Sequence, residues 1–468
     1  MNVTSEPSPA APAGRAHRTP VTHEPDHGRL WKLFTVAERE FLIAMAVDVL
    51  AASRIEPGVE ASEERDTAHR SGAMRLPRLR PAGGELYPAF WVQDFTMGYA
   101  SGCMSVAEGW QHLEWVARTQ NGPTNRALQS GADIPAWSVA DHINLDGTAV
   151  FFPGTLAADD TQGGEPWGVL PPASNHFDFI WLAWMLVNDG VPVQRMLEPM
   201  FDVPLLDRLE RAFACVEAEP KTGLVVTTPA TRRVGMVSYD SVRFTNRVLS
   251  ASILRYRAAR QMAALLEALG RADDAAAYAN IARAIEYTLG DAFSRDDLGG
   301  WLAASTGTSA QADVWGTLMA LHFNLLHDST RALALSAVMG GLRAGTIVHE
   351  GAVRHVPLDR DASPTSAWEQ TPTPHHRYQN GAFWHTATGW LLDAVAGFAP
   401  KRAASLAGEF VVHLRRNDFR KRGTCGAPWE CIGPDLAQYR GPTFHPSLTQ
   451  TLSVLRYGSQ RSLPPRPR

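Results

Sequence analysis

Val237-Ser238-Tyr239-Asp240-Ser241-Val242 is a polar and aromatic loop that runs into an unbroken helical pattern over 246–270. Arg271-Ala272-Asp273-Asp274-Ala275-Ala276-Ala277-Tyr278 then opens a second helix over 272–292 whose single charged face belongs in solvent. An irregular loop, an apolar helix and a one-sided polar helix together make a helical hairpin. The unit recurs. Helices beginning near 105, 176, 246, 311, 381 and 445 follow at intervals of about 65–71 residues, a period that marks repeated supersecondary units even where the repeats share no sequence.

Each of the six helices is preceded by a similar loop. In order these read Phe90-Trp91-Val92-Gln93-Asp94-Phe95, Pro172-Ala173-Ser174-Asn175-His176-Phe177, the 237–242 segment above, Ser309-Ala310-Gln311-Ala312-Asp313-Val314-Trp315, His376-Arg377-Tyr378-Gln379-Asn380-Gly381 and Pro442-Thr443-Phe444-His445-Pro446. More charged helices, over 203–217, 272–292, 329–342 and 400–416, alternate with them. Thr35-Val36-Ala37-Glu38 and Ser105-Val106-Ala107-Glu108 are capping boxes that open helices running to Ser53 and to about Gln120. Trp110 and Trp115 place the second of these in the interior. The second outer helix is expected over 124–146, although that stretch gives only short pieces around Asn125-Arg126-Ala127-Leu128. Strand character at 223–228 and 346–349 falls between helices and reads as hairpin loops. Alternating inner and outer helices with all six loops at one end predict an all-α (α/α)6 barrel over 29–460, its pocket at the inner helices' N-termini. Residues 1–28 and 461–468 read as disordered ends.

Composition narrows the function. Of 468 residues 45% are hydrophobic and 20% charged, which suits one large core, and a net charge of -4 gives no basic field for nucleic acid or an anionic membrane. No run of about 18 apolar residues occurs, so no membrane span is expected. The first thirty residues hold no apolar signal-peptide core, which makes cytoplasmic location the default. Cys103 and Cys215 sit in apolar runs as small buried thiols, whereas Cys425 and Cys431 flank a loop and are either a local disulfide or, in a reducing compartment, free. The paired spacings that zinc needs are absent, and Gly83-Gly84 and Gly163-Gly164 are turn glycines, so neither metal nor organic cofactor is implied.

Taken together, the loops resemble those of the six-hairpin glycosidase superfamily, whose members include glucoamylase, trehalase and processing α-glucosidase. The likeness covers about 35–457. Phe90-Trp91-Val92-Gln93-Asp94 resembles its Trp-x-Arg-Asp loop, with Gln93 in place of the arginine. Tyr378-Gln379-Asn380-Gly381-Ala382-Phe383-Trp384 resembles Tyr-Trp-Asn-Gly-Pro-Trp, with Gln379 and Ala382 departing from it. Pro428-Trp429-Glu430 stands where several branches carry a catalytic base. The resemblance implies hydrolysis of a glycosidic bond in a carbohydrate substrate.

That chemistry needs an acid to protonate the leaving oxygen and a carboxylate on the far side of the sugar. The acidic residues of the pocket loops are Glu85, Asp94, Asp178, Asp240, Asp313, Glu369, Glu430 and Asp435. Asp240 stands where the superfamily places its proton donor, and the ring of Tyr239 would raise its pKa; structurally it would simply cap the next helix. Glu430 is the expected base, Glu369 the reserve acid. Asp94, Tyr378 and Asn380 are expected to grip the sugar, with Asp313 either doing the same or capping its helix. Trp91, Trp315, Trp384 and Trp429 are expected to stack on sugar faces or to pack in the core. Loops on opposite sides of the ring predict an acid–base gap of about 6.5–9.5 Å and therefore inversion. His375, His376 and His385 support a second reading, a helical-barrel epimerase or isomerase that moves a proton with histidine. A barrel that binds sugar without turnover is a third.

Overall fold

The computed structural model describes residues 28–55, 77–84, 86–360, 367–421, 423, 425–433 and 439–458. The positions read as disordered ends, and the candidates Glu85 and Asp435, lie outside them, apart from Gly28, whose carbonyl accepts the Trp31 N–H at 3.0 Å. Among the described residues twelve α-helices alternate between two layers. The inner ones are α2 (Val92–Ala100), α4 (Ala173–Asn188), α6 (Leu249–Ala268), α8 (Val314–His322), α10 (Thr388–Ala396) and α12 (Pro446–Tyr457). Between them run the outer helices α1 (Val36–Ser53), α3 (Val106–Thr119), α5 (Leu205–Ala214), α7 (Ala272–Phe293), α9 (Asp328–Ala344) and α11 (Pro400–Arg416). Each inner helix packs on the next, and α12 returns to α2, so the ring closes.

Burial explains the layers. Every residue of α2, α8 and α10 is buried, as a helix enclosed by neighbours on all sides requires, whereas α7 buries only a stripe that includes Ala275, Ala282, Ile285, Leu289 and Phe293. Both capping boxes form. Thr35 Oγ1 accepts from Glu38 N at 3.3 Å while Glu38 Oε2 accepts from Thr35 N at 2.7 Å, and Ser105 and Glu108 do the same at 3.2 and 3.0 Å.

The helix at 105 is therefore an outer one, α3, and the first inner helix begins at Val92, inside the segment read as a loop. Residues 124–146 hold no helix because that outer position is already filled by α3; they form short strand pairs instead. Trp110 and Trp115 are accordingly half-buried at the barrel's outside. Two small sheets frame the mouth. In one, β1 (Ala89–Trp91) pairs with β2 (His142–Asn144), which pairs with β3 (Ala149–Val150). In the other, β4 (Val348–His349), β5 (Ala352–Arg354), β6 (Phe383–Trp384), β7 (Cys431–Ile432) and β8 (Tyr439–Arg440) make an antiparallel meander. Among the described residues no helix is long and apolar enough to cross a membrane, and all four cysteines are free thiols.

Candidate active site

Four carboxylates from separate segments meet at the inner helices' N-terminal end. Asp94 lies in the first turn of α2, Asp141 just before β2, Asp240 just after a 3-10 turn at Val237–Tyr239, and Glu430 just before β7. Asp94 feels the charges of Glu430, Asp141 and Asp178, and Asp240 those of Asp141 and Glu430.

Strand register does part of the placing. Opposite one another in the β1–β2 pair, Trp91 and His142 stack with centroids 4.4 Å apart. Glu430 N lies 2.9 Å from the carbonyls of both Arg440 and Gly441, tying the carboxylate's backbone to β8. Gly441 has φ +62, and a Cβ there would meet Glu430 Cβ at 2.5 Å, so only glycine lets the two segments approach this closely.

Asp240 and Glu430 sit in different electrostatic surroundings. Burial, then the neighbouring charges of Asp141 and Glu430, push Asp240 up to about 8, opposed by the Gln379 amide and the Ser241 N–H, which favour its ionised form. Its Oδ1 has no protein partner. Glu430 is 1% exposed, and burial raises it too, but the Tyr87 and Tyr378 hydroxyls and the Arg440 guanidinium favour its ionised form. Arg440 Nε stands 3.6 Å from Glu430 Oε2, and its guanidinium lies 4.4 Å over the Tyr378 ring. One carboxyl thus has anions for neighbours, the other phenols and a cation. The neighbours of Asp240 therefore oppose its ionisation, whereas those of Glu430 offset part of the cost of burying its charge.

The Asp240 shift carries a stability consequence. The folded pKa of about 8 exceeds the value of about 3.9 of an unfolded aspartate, so the folded state holds a proton that the unfolded state releases across that window. The stability present below pH 4 is lost as pH rises to 8. Asp240→Asn removes the titration and is expected to raise the melting temperature at pH 8 by a few degrees, from roughly 1–3 kcal/mol. The difference should vanish near pH 4, which melts of both proteins from pH 4 to 8 would show.

Other expected residues divide into wall and core. Half-buried Trp91 and Trp429 line the mouth, the latter stacked on Tyr439 at 5.0 Å, and half-buried Tyr378 leans on Trp384. Trp315 is a correction: it is fully buried, stacks on His355 at 3.9 Å and donates from Nε1 to the Val353 carbonyl at 3.2 Å, so no sugar can reach it. Trp384, 3% exposed and donating to the Tyr378 carbonyl at 3.3 Å, is core as well. Asn380 is buried and spent on its own loop, Oδ1 accepting from Trp368 N at 3.1 Å and Nδ2 donating to the Thr373 carbonyl at 2.7 Å. Of its two readings Asp313 takes the cap: Oδ1 accepts from Gly316 N and from the Tyr239 hydroxyl, each at 2.8 Å. Glu369, the reserve acid, is exposed and accepts from Ser309 N at 2.8 Å. Asp178 faces the barrel interior, bound to Arg257 at 2.6 Å.

Sequence reasoning missed Asp141, His142, Tyr87 and Arg440. Asp141 and His142 are fully buried; Asn175 Nδ2 donates to Asp141 Oδ1 at 3.1 Å, and His142 Nδ1 lies 2.8 Å from Asp141 Oδ2. An Asp-His pair set in the apolar run Val139-Ala140-Asp141-His142-Ile143 was the available signal. Among the described residues no group of three or more His, Cys, Asp or Glu is arranged to hold a metal ion.

The twelve helices form a closed ring of six helical hairpins with carboxylates gathered at one end. Solved structures share it. A GH63 mannosylglycerate hydrolase from Thermus thermophilus matches with TM-scores of 0.54 in complex with glucose and 0.55 in complex with Tris, at 16% identity, over 88% of this chain and 99% of that one. A glycosidase carrying a glutamate-to-alanine change matches with a TM-score of 0.51 at 14% identity, over 91% and 97%. No family model and no curated protein matches the chain.

Proposed function

We propose that this protein is a glycoside hydrolase in which Asp240 is the general acid and Glu430 the general base. The observation that carries the reading is the contrast between these two buried carboxyls: the anions Asp141 and Glu430 favour the protonated form of Asp240, whereas Tyr87, Tyr378 and Arg440 favour the ionised form of Glu430. Asp240 gives its proton to the glycosidic oxygen as the C1–O bond breaks. Glu430 takes a proton from the water whose oxygen bonds to C1 from the opposite face, and solvent then returns the pair to its starting state. Trp91 and Trp429 offer aromatic faces to the sugar, and Asp94 and Tyr378 offer hydrogen bonds to its hydroxyls. Inversion is part of this proposal, and free thiols at all four cysteines support a cytoplasmic location.

The histidines favour hydrolysis over isomerisation. His385 is buried, lies 2.9 Å from the Glu350 carbonyl and packs on His413 of outer helix α11. His376 stacks on His375 at 3.8 Å and lies 3.0 Å from Arg354. A panel of oligosaccharides and aryl glycosides, beginning with hexosides and read by released reducing sugar, tests the assignment. Turnover that survives His376→Ala is expected. Binding without turnover across the panel would leave a sugar-binding barrel, and loss of activity in His376→Ala alone would favour an isomerase.

A further inference from the structure

Two glutamines close on the turn that carries Asp240. Gln93, from the first turn of α2, accepts the Val237 N–H at Oε1 (3.1 Å) and donates from Nε2 to Ser238 Oγ at 2.9 Å. Gln379, from the loop before β6, accepts the Ser241 N–H at Oε1 (2.8 Å) and donates from Nε2 to the Val237 carbonyl at 3.2 Å. Backbone groups fix both amide orientations, because a peptide N–H can only donate and a carbonyl can only accept. Both side chains are almost fully buried, at 4% and 1% exposure. Gln379 is itself held, since its carbonyl accepts from Trp368 Nε1 at 2.9 Å. With Oε1 committed to Ser241, it is the Gln379 N–H side that favours the ionised form of the Asp240 carboxyl. Gln93 and Gln379, from different segments, thus meet on one turn.

Resting on the hydrolase reading, we infer that Gln93 and Gln379 are a paired amide clamp that positions the proton donor Asp240, Gln379 additionally holding the carboxylate left after proton transfer. The charged and titratable groups facing Asp240 are Asp141 before β2, Glu430 before β7 and Tyr378 from the loop of Gln379. Gln379 is the amide among them that offsets the anions. Gln93 touches the turn and not the carboxyl, so the two residues separate placement from proton affinity.

The test compares wild type with Gln379→Met and Gln93→Met on two glycosides of one sugar, an alkyl glycoside and a dinitrophenyl glycoside whose leaving group needs no proton. For Gln379→Met, kcat on the alkyl glycoside is expected to fall about 10–100-fold with KM little changed, kcat on the dinitrophenyl glycoside to stay near wild type, and the alkaline limb to rise by about one pH unit. Gln93→Met should lower kcat on the alkyl glycoside without moving the limb. Equal losses on both substrates with an unmoved limb would make the clamp merely structural and overturn the inference. So would wild-type behaviour of Gln379→Met. Titration of the labelled Asp240 carboxyl by carbon-13 NMR reads the bond without turnover: an upward shift in Gln379→Met supports the clamp even if no glycoside is cleaved, and an unchanged titration contradicts it.

Discussion

Asp240→Asn and Glu430→Gln are each expected to lower kcat by about three orders of magnitude, with the fold intact and substrate binding retained. Both changes preserve shape and remove one proton-transfer group. Their kinetic signatures differ. Asp240→Asn should cleave a dinitrophenyl glycoside far better than an alkyl one, because only the latter needs its leaving oxygen protonated. It should also lose the alkaline limb of the pH profile, which in the wild type is expected where Asp240 gives up its proton, about 8. Glu430→Gln should be slow on both substrates and lose the acidic limb. Normal turnover in both variants would refute the catalytic assignment.

The second large effect is on stability. Trp315→Ala is expected to cost about 3–5 kcal/mol, the loss usual for a large aromatic in a packed core. Trp315 meets His355, Tyr239, Trp384 and Trp390 at once, and removing its indole N–H would leave the Val353 carbonyl unpaired. The measurement is denaturant unfolding, with KM on the folded protein as control. A raised KM with unchanged stability would return Trp315 to the sugar-stacking role.

How far the sequence could be read depended on whether a segment's pattern is local. Outer helices announce themselves by a capping box, as in α1 and α3, or by one polar face, as in α7 and α11, which is why these four are legible. Helix α2 is buried all round, so Val92–Ala100 has no amphipathic stripe, and the amphipathic α3 beside it read as the inner helix. The strands of the mouth are two or three residues long, too short for alternation to show, yet their register sets Trp91 against His142 and β8 beside Glu430. Asp240 and Glu430 were legible as acids in aromatic loops. The fates of Trp315, Trp384 and Asn380 were not, because their partners lie far off in the chain or depend on loop turns that only the closed ring brings together. Asp141 was lost for the same reason: its importance comes from two carboxyls on other segments.

The most direct measurement is proton NMR of the first product anomer, recorded on a glycoside the panel shows to be cleaved, before mutarotation scrambles it. The proposed single displacement, with acid and base on opposite faces of the sugar and a water between base and C1, predicts a first reducing sugar of anomeric configuration opposite to the substrate's. Release of the same anomer, or a trapped glycosyl–enzyme ester, would contradict single displacement and with it the role of Glu430 as base.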